Sequence, residues 1–254
     1  MTPSVLEVKD LCKTFRDGPR VVDAADHVSL EVRRGEILGL VGESGSGKST
    51  VARLITHIEK PDSGTILVDG EDYSSPSRRK QRELHRKIQM VFQNPERSFQ
   101  PRMRIGASLQ ESLHNFHPEL TETQTREQIG ELMGSVGLDP SLRQRYPKDL
   151  SGGQCQRAAI VRALTADPCL LICDEATSAL DVLIQAKIVE LLMDLRDKRD
   201  LSILFISHDL ALVSSICDRI AIMQKGRIVE TGPTETILHD PKEPYTQNLM
   251  RCTL

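Results

Sequence analysis

No run of about 20 apolar residues occurs in this 254-residue chain, so no segment reads as a membrane-crossing helix. The longest apolar runs, "ILGLVG", "CLLIC" and "LSILFI", are of strand length. The opening "MTPSVLEVKDL" lacks the apolar core of a secretory signal, and none is expected there. Any membrane role is therefore expected to come through a partner. There is no C-x-x-C pair either. Cys12, Cys155, Cys169, Cys173, Cys217 and Cys252 are scattered without zinc or cluster spacing, as suits reduced thiols in a cytoplasmic protein. Cys169 and Cys173 fall in an apolar strand and read as small buried hydrophobes. Positive charge is not in excess: a net charge of −3 removes the electrostatic case for nucleic acid. The one basic cluster, "SRRKQRELHRK" at 77–87, mixes signs at helical spacing and reads as a solvated helix face. Internal repeats and low-complexity linkers are also missing.

What is present is the patterning of a soluble α/β protein. Hydrophobic residues at 39% and charged residues at 27% suit a globular chain long enough for one large domain with a subdomain. Short apolar runs at 36–42, 87–93, 169–175, 201–208 and 219–232 alternate with helical patterns, which predicts a largely parallel sheet flanked by helices. The last run reads as a hairpin around Lys225 and Gly226. The N-terminal segments "VLEVKDLCKTF" and "VSLEVRRGE" alternate apolar with polar residues, as an antiparallel sheet with one wet face does. Between 105 and 148 the strand signal stops, and "IGASLQESLHNF" and "TETQTREQIGELMGSVGL" read as amphipathic helices. The expected organisation is a core of 1–104 and 149–254 with an inserted helical subdomain at 105–148.

The segment "LVGESGSGKST" satisfies G-x-x-x-x-G-K-[ST] between an apolar strand and a helical pattern. Gly42, Gly45 and Gly47 let the backbone curl around phosphate oxygens, with Ser44, Ser46 and Thr50 in the same loop. Lys48 supplies a point charge for the β- and γ-phosphates, and the Ser49 hydroxyl is a Mg²⁺ ligand. "CLLICDE" ends a second apolar strand in two acids: Asp174 suits the metal, and Glu175 suits orientation and deprotonation of an attacking water. A second candidate anion cradle follows in "DLSGGQCQRAAIVRAL" at 149–164, where Ser151, Gly152, Gly153 and Gln154 open a helix and expose backbone N–H groups.

The ordered set GESGSGKST, Gln93 in "MVFQNP", LSGGQ at 150–154, "LLICDE", "SALD" at 178–181 and "ISHD" at 206–209 resembles the ATP-binding subunit of ABC transporters. The resemblance runs from Leu6 to about Tyr245 and implies a P-loop NTPase core with an N-terminal antiparallel β subdomain and an inserted α-helical subdomain. It implies ATP and Mg²⁺ as ligands. It also explains two cradles in one chain: two such domains face head to tail, each ATP lying between one P-loop and the other LSGGQ. By the same resemblance Gln93 is the lid glutamine near the metal and the water, His208 the switch histidine at the γ-phosphate, and Asp181 an aspartate communicating across the dimer. Phe15 lies where the family stacks an aromatic on adenine. Cys155 after LSGGQ and Cys173 before Asp174 depart from the usual residues, without removing a catalytic group.

"QNPERSFQPRM" and "LHDPKEPYTQNLM" resemble segments of the peptide and nickel importer ATPases, with Lys242 and Glu243 interrupting the usual ending. That branch implies uptake of peptides, nickel or a metal chelate. It also implies a second ATPase subunit (paralogue or self), two membrane permeases and, indirectly, an extracytoplasmic binding protein. The chain would then sit peripherally on the cytoplasmic face of the cell membrane. No iron–sulfur cluster is expected, Cys252 being the only cysteine near the end. The chief rival reading is a soluble ABC ATPase of DNA-repair or translation type, against which stand the single cassette and the lack of basic charge. A regulatory module that holds ATP without hydrolysing it is opposed by Glu175 and His208, and export by the peptide/nickel-type segments.

Overall fold

The computed structural model describes residues 3–18, 20–177 and 181–253. The chain opens with two long antiparallel strands, β1 (Ser4–Asp17) and β2 (Arg20–Arg33). Buried Val28, Leu30 and Val32 alternate along β2 with the more accessible Ser29, Glu31 and Arg33, the burial pattern of a sheet with one wet face. Next come β3 (Ile37–Val41) and α1 (Lys48–Ile55). β4 (Ser63–Val68) and β5 (Glu71–Asp72) then return to the first sheet, whose order is β2-β1-β4-β5. The sequence patterning did not predict β4, because its apolar run is only three residues long. Pairing with β1 buries Ile66 and Val68 completely, and that non-local contact makes the segment a strand.

α2 (Arg78–Lys87) is the expected solvated helix, with Leu84 its buried residue and an exposed Arg79–Glu83 ion pair at 3.0 Å. The remaining elements are β6 (Ile88–Val91), α3 (Ile105–Phe116), α4 (Glu122–Ser135), α5 (Gly152–Leu164), β7 (Leu170–Asp174), α6 (Val182–Arg199), β8 (Ser202–Ser207), α7 (Leu210–Ile216), β9 (Arg219–Gln224), β10 (Arg227–Pro233), α8 (Thr234–His239) and α9 (Pro244–Thr253). Among the described residues the second sheet has the order β10-β9-β3-β8-β7-β6. It is parallel from β9 to β6 and closed at one side by the β9–β10 hairpin. Lys225 and Gly226 turn that hairpin with φ of 46° and 83°, as a tight two-residue turn requires.

Both faces of the parallel sheet are covered, which is why its strands read as unbroken apolar runs. Leu38, Leu40, Leu170, Ile172, Leu204 and Ile206 join a core shared with the antiparallel sheet and α1. Their sequence neighbours Ile37, Val41, Leu171, Ile203 and Phe205 join a second core under α3 to α7. Each strand is thus held from two sides, and truncating a fully buried aromatic such as Phe205 would cost about 3–5 kcal/mol. Leu109 and Leu113 of α3, Ile129 and Met133 of α4, and Ala158 of α5 belong to that second core. Helix α5 therefore connects the helical segment to the sheet.

Cys173 is buried in β7, as expected, but Cys169 is not in the strand. It is half-buried one residue before β7, its thiol 3.3 Å from the Lys87 carbonyl and 3.7 Å from Asp69 Oδ2. The strand joins the sheet only at Leu170, which leaves Cys169 on the rim beside the β4–β5 turn. No helix of the described residues is long and apolar enough to cross a membrane.

Candidate functional site

Four parallel strands end on one edge. Val41 of β3 lies opposite Ser207 of β8, Ile206 of β8 opposite Asp174 of β7, and Cys173 of β7 opposite Val91 of β6. Residues far apart in sequence are gathered at the carboxyl ends of these strands, where open α/β sheets bind ligands.

The glycine-rich loop leaves β3 through two close approaches. A Cβ on Gly42 would lie 2.1 Å from the Met223 carbonyl oxygen, and one on Gly47 would lie 2.1 Å from that of Ala24. Gly47 also has a φ of 111°, in the region that favours glycine. The Gly226 amide supports the loop by donating to the Ser46 carbonyl at 2.9 Å. Ser44 and Gly45 are exposed, whereas Ser46 is buried with its hydroxyl unpaired. Helix α1 begins at Lys48 without a side-chain cap, which leaves the first-turn donors of Ser49 and Thr50 without a side-chain acceptor. A buried orphan hydroxyl beside uncapped helix amides suits an anion.

Lys48 Nζ donates to the carbonyls of Gly42 and Glu43 at 2.7 and 2.9 Å. Burial holds its pKa below the ordinary lysine value, against the opposing charges of Glu175, Asp174 and Glu43. Ser49 Oγ donates to Asp174 Oδ1 at 2.8 Å. Asp174 is only 6% exposed, and burial raises its pKa despite the Ser49 hydrogen bond. A buried carboxylate and a hydroxyl form a hard-oxygen pair that fits Mg²⁺. The described residues hold no cluster of three or more His, Cys, Asp or Glu ligands, so a metal here would draw its remaining ligands from water and phosphate.

Glu175 follows with a φ of 48°, rare for a residue with a side chain, and its amide donates to the Ile206 carbonyl at 3.0 Å. Both of its oxygens are engaged: Gln93 Nε2 donates to Oε2 at 2.9 Å, and His208 Nδ1 lies 3.3 Å from Oε1. The ends of β6, β7 and β8 thus meet at one carboxylate.

Ser151 caps α5. Its hydroxyl accepts from the Gln154 amide, while its own amide donates to the Gln154 side chain at 2.9 Å, forming a capping box. That box leaves the Gly152 and Gly153 amides free of a side-chain acceptor. A Cβ on Gly153 would lie 2.6 Å from Ile184 Cγ2, so this glycine lets α6 pack against the start of α5. Asp181 caps α6 by accepting from the Ile184 amide at 3.0 Å. The neighbouring Val182 and Leu183 are 79% and 77% exposed, an apolar pair facing out beside both helix starts. Residues 178–180 of the S-A-L-D run lie outside the described residues. At its far end α5 carries Arg162, which donates to the Ser98 carbonyl in the turn after Gln93. The helix is about 20 Å long and connects the Gln93 loop to Ser151.

Phe15 is 40% exposed on β1, with Lys13 Nζ 5.3 Å from its ring centroid. Val22 faces it across the hairpin and is 41% exposed, so the apolar platform is a pair of residues. Val22 was not singled out in the sequence because only the strand register places it beside Phe15. Ala24, two residues further along β2, is the strand's contact with the glycine-rich loop.

Residues 25–178 match the ABC transporter family. The chain belongs to that family. It is 45% identical over 244 residues to the oligopeptide transport ATP-binding protein OppF of Salmonella typhimurium, covering 96% of this chain and 73% of the relative. A probable peptide ABC transporter ATP-binding protein, y4tS of Sinorhizobium fredii, is 43% identical over 257 residues, covering 98% of this chain and 72% of that protein. The dimeric ATP-binding cassette MJ0796, bound to ADP and Pi, superposes with a TM-score of 0.82 at 26% identity, over 90% of this chain and 98% of that one. CbiO1 of Clostridium perfringens, part of the ABC transporter complex cbiONQ, gives a TM-score of 0.83 at 27% identity, over 94% and 92%. As a member of the ABC family, the chain is an ATP-binding protein with the P-loop NTPase fold.

Proposed function

We propose that this chain is the ATP-hydrolysing subunit of a peptide importer, and that its active site is completed by a second ATPase subunit. The observation that carries the reading is the meeting of Gln93, Glu175 and His208 at one carboxylate, on the sheet edge that also holds Lys48, Ser49 and Asp174. The glycine-rich loop amides and the Ser46 hydroxyl bind the phosphates. Lys48, seated on the Gly42 and Glu43 carbonyls through two of its three N–H donors, turns the third to the β- and γ-phosphates. Ser49, Asp174 and Gln93 would hold Mg²⁺, which would neutralise developing charge on the phosphate oxygens. Glu175 orients the attacking water and takes its proton, while His208 donates to the γ-phosphate. Phe15 and Val22 receive the adenine face.

Ser151, Gly152, Gly153 and Gln154 serve the opposite nucleotide. The uncapped glycine amides and the positive end of α5 meet the γ-phosphate held by the partner's P-loop. The exposed Val182–Leu183 pair lies in that interface, with Asp181 at its edge. Hydrolysis removes the γ-phosphate contact, and the two subunits part. The segment 105–148 moves with α5, because Leu109, Leu113, Ile129 and Met133 share a core with Ala158 of that helix, and Arg162 couples α5 to the Gln93 loop.

A groove of about 500 Å³ between β6, α3 and α5 is lined by Met90, Phe92, Ser112, Phe116 and Arg162, with Ile58 55% exposed at its rim. We assign it to a helix of a membrane permease reaching the cytoplasmic face, where this subunit is held peripherally. Peptide is preferred over nickel as cargo because the relatives described above are named for peptide transport. Those names also leave the soluble DNA-repair or translation reading unfavoured. The direct test is phosphate release by the purified chain with Mg²⁺ and ATP, against Lys48→Ala. Release lost in the variant supports the assignment, and equal release in both removes it.

A further inference from the structure

The peptide unit between Gly42 and Glu43 is gripped at both ends. Its carbonyl, on Gly42, accepts from Lys48 Nζ at 2.7 Å. Its N–H, on Glu43, donates to the hydroxyl of Tyr245 at 3.3 Å, across 202 residues of chain. The next carbonyl, on Glu43, accepts from the Ser46 amide at 3.1 Å and from Lys48 at 2.9 Å. One phenol on α9 therefore fixes the plane of the peptide against which the phosphate-binding lysine rests.

Tyr245 is itself held. Glu230 of β10 accepts from the Lys242 and Glu243 amides at 2.8 and 3.3 Å, which sets the start of α9. Gln247 ties its side chain back to the Pro241 carbonyl at 2.9 Å. Thr246 is fully buried and Met250 nearly so, while Tyr245 and Leu249 pack on the main core. A side chain fixed in this way can orient a loop that glycine would otherwise leave free.

We infer that Tyr245 is a positioning residue for ATP binding: it pre-orients the Gly42–Glu43 peptide and, through it, Lys48. The inference rests on the P-loop being the ATP site. The Glu43 amide is thereby reserved for the protein and is not a phosphate donor. The "PYT" of the C-terminal segment thus acts on the nucleotide without touching it.

The test is Tyr245→Phe, which keeps the ring and its packing and removes only the hydroxyl that accepts from Glu43. A neutral hydrogen bond of ordinary net strength corresponds to a roughly threefold to tenfold change in equilibrium. ATP affinity and KM are expected to weaken by about that factor, with kcat within about twofold and the thermal midpoint little changed. Hydrogen exchange at the Glu43 amide is expected to speed up in the ligand-free variant while the other amides of the loop and of α9 keep wild-type rates, a pattern that general loosening of packing does not produce. Wild-type ATP binding together with unchanged affinity and unchanged Glu43 exchange in Tyr245→Phe overturns the inference and leaves the ATP site standing. Failure of the wild-type chain to bind ATP overturns both.

Discussion

Gln93 and Glu175, 82 positions apart, are joined by a 2.9 Å hydrogen bond from Nε2 to Oε2. The bond connects the loop after β6 to the strained residue after β7, and His208 holds the other carboxylate oxygen. A carboxylate held from two sides is set for one orientation, as a general base must be. Glu175→Gln keeps the shape and the capacity to accept one hydrogen bond but cannot take a proton. Turnover is expected to fall by about two to four orders of magnitude, the range for loss of a general base. ATP affinity should stay within a few-fold. Single-turnover phosphate release measures the first quantity and nucleotide titration the second; normal turnover would remove Glu175 from this role.

Gly153 supplies a prediction about packing. Its missing side chain is what allows Ile184 to approach, since a Cβ there would lie 2.6 Å from Cγ2. Gly153→Ala is expected to cost about 1–3 kcal/mol by overpacking and to displace the start of α5. Combining it with Ile184→Ala makes room, so the double variant should be less destabilised than the sum of the two single changes. Urea unfolding of the four proteins measures this coupling; strict additivity would show that the two residues do not meet.

The cysteines give a pH prediction. Burial pushes the Cys155 and Cys173 thiols up to about 12 and the Cys169 thiol to about 11, and Cys217 is raised further still. A folded-state value above the unfolded one means that the native fold holds the proton more tightly. The associated stability is complete below the unfolded thiol value near 9 and is lost as pH rises from there through the folded values. Native labelling of Cys169 by a thiol reagent should therefore quicken about tenfold per pH unit from 7 to 9, because the thiolate is the reactive form. Cys155, Cys173 and Cys217 should label only on unfolding. A rate for Cys169 that levels off below pH 9 would contradict this account of its surroundings.

The glycine-rich loop and the acids after β7 were legible in the sequence because their geometry is local. A strand, a glycine turn and a helix start follow one another within 20 residues. The helices at 105–116 and 122–135 were legible through their periodicity, and the β9–β10 hairpin through Lys225–Gly226. What escaped depends on distant partners. β4 becomes a strand by pairing with β1, Val22 matters only through its register with Phe15, and Tyr245 reaches Glu43 from the far end of the chain. Cys169 was misplaced by one residue because an apolar run does not reveal where a strand joins its sheet. Gln93, Glu175 and His208 were assigned to one site by motif and family resemblance, although no local pattern encodes the order β8-β7-β6 that brings them together.

In the proposed site the P-loop and the Ser151 helix start act on different ATP molecules. The most direct measurement is the specific ATPase activity of the purified chain, followed while protein is diluted roughly a hundredfold at saturating Mg²⁺ and ATP. Mass action on a two-subunit site predicts that activity per milligram falls with dilution and returns on reconcentration. Activity that stays constant throughout, in a preparation that sediments as a monomer, would contradict it.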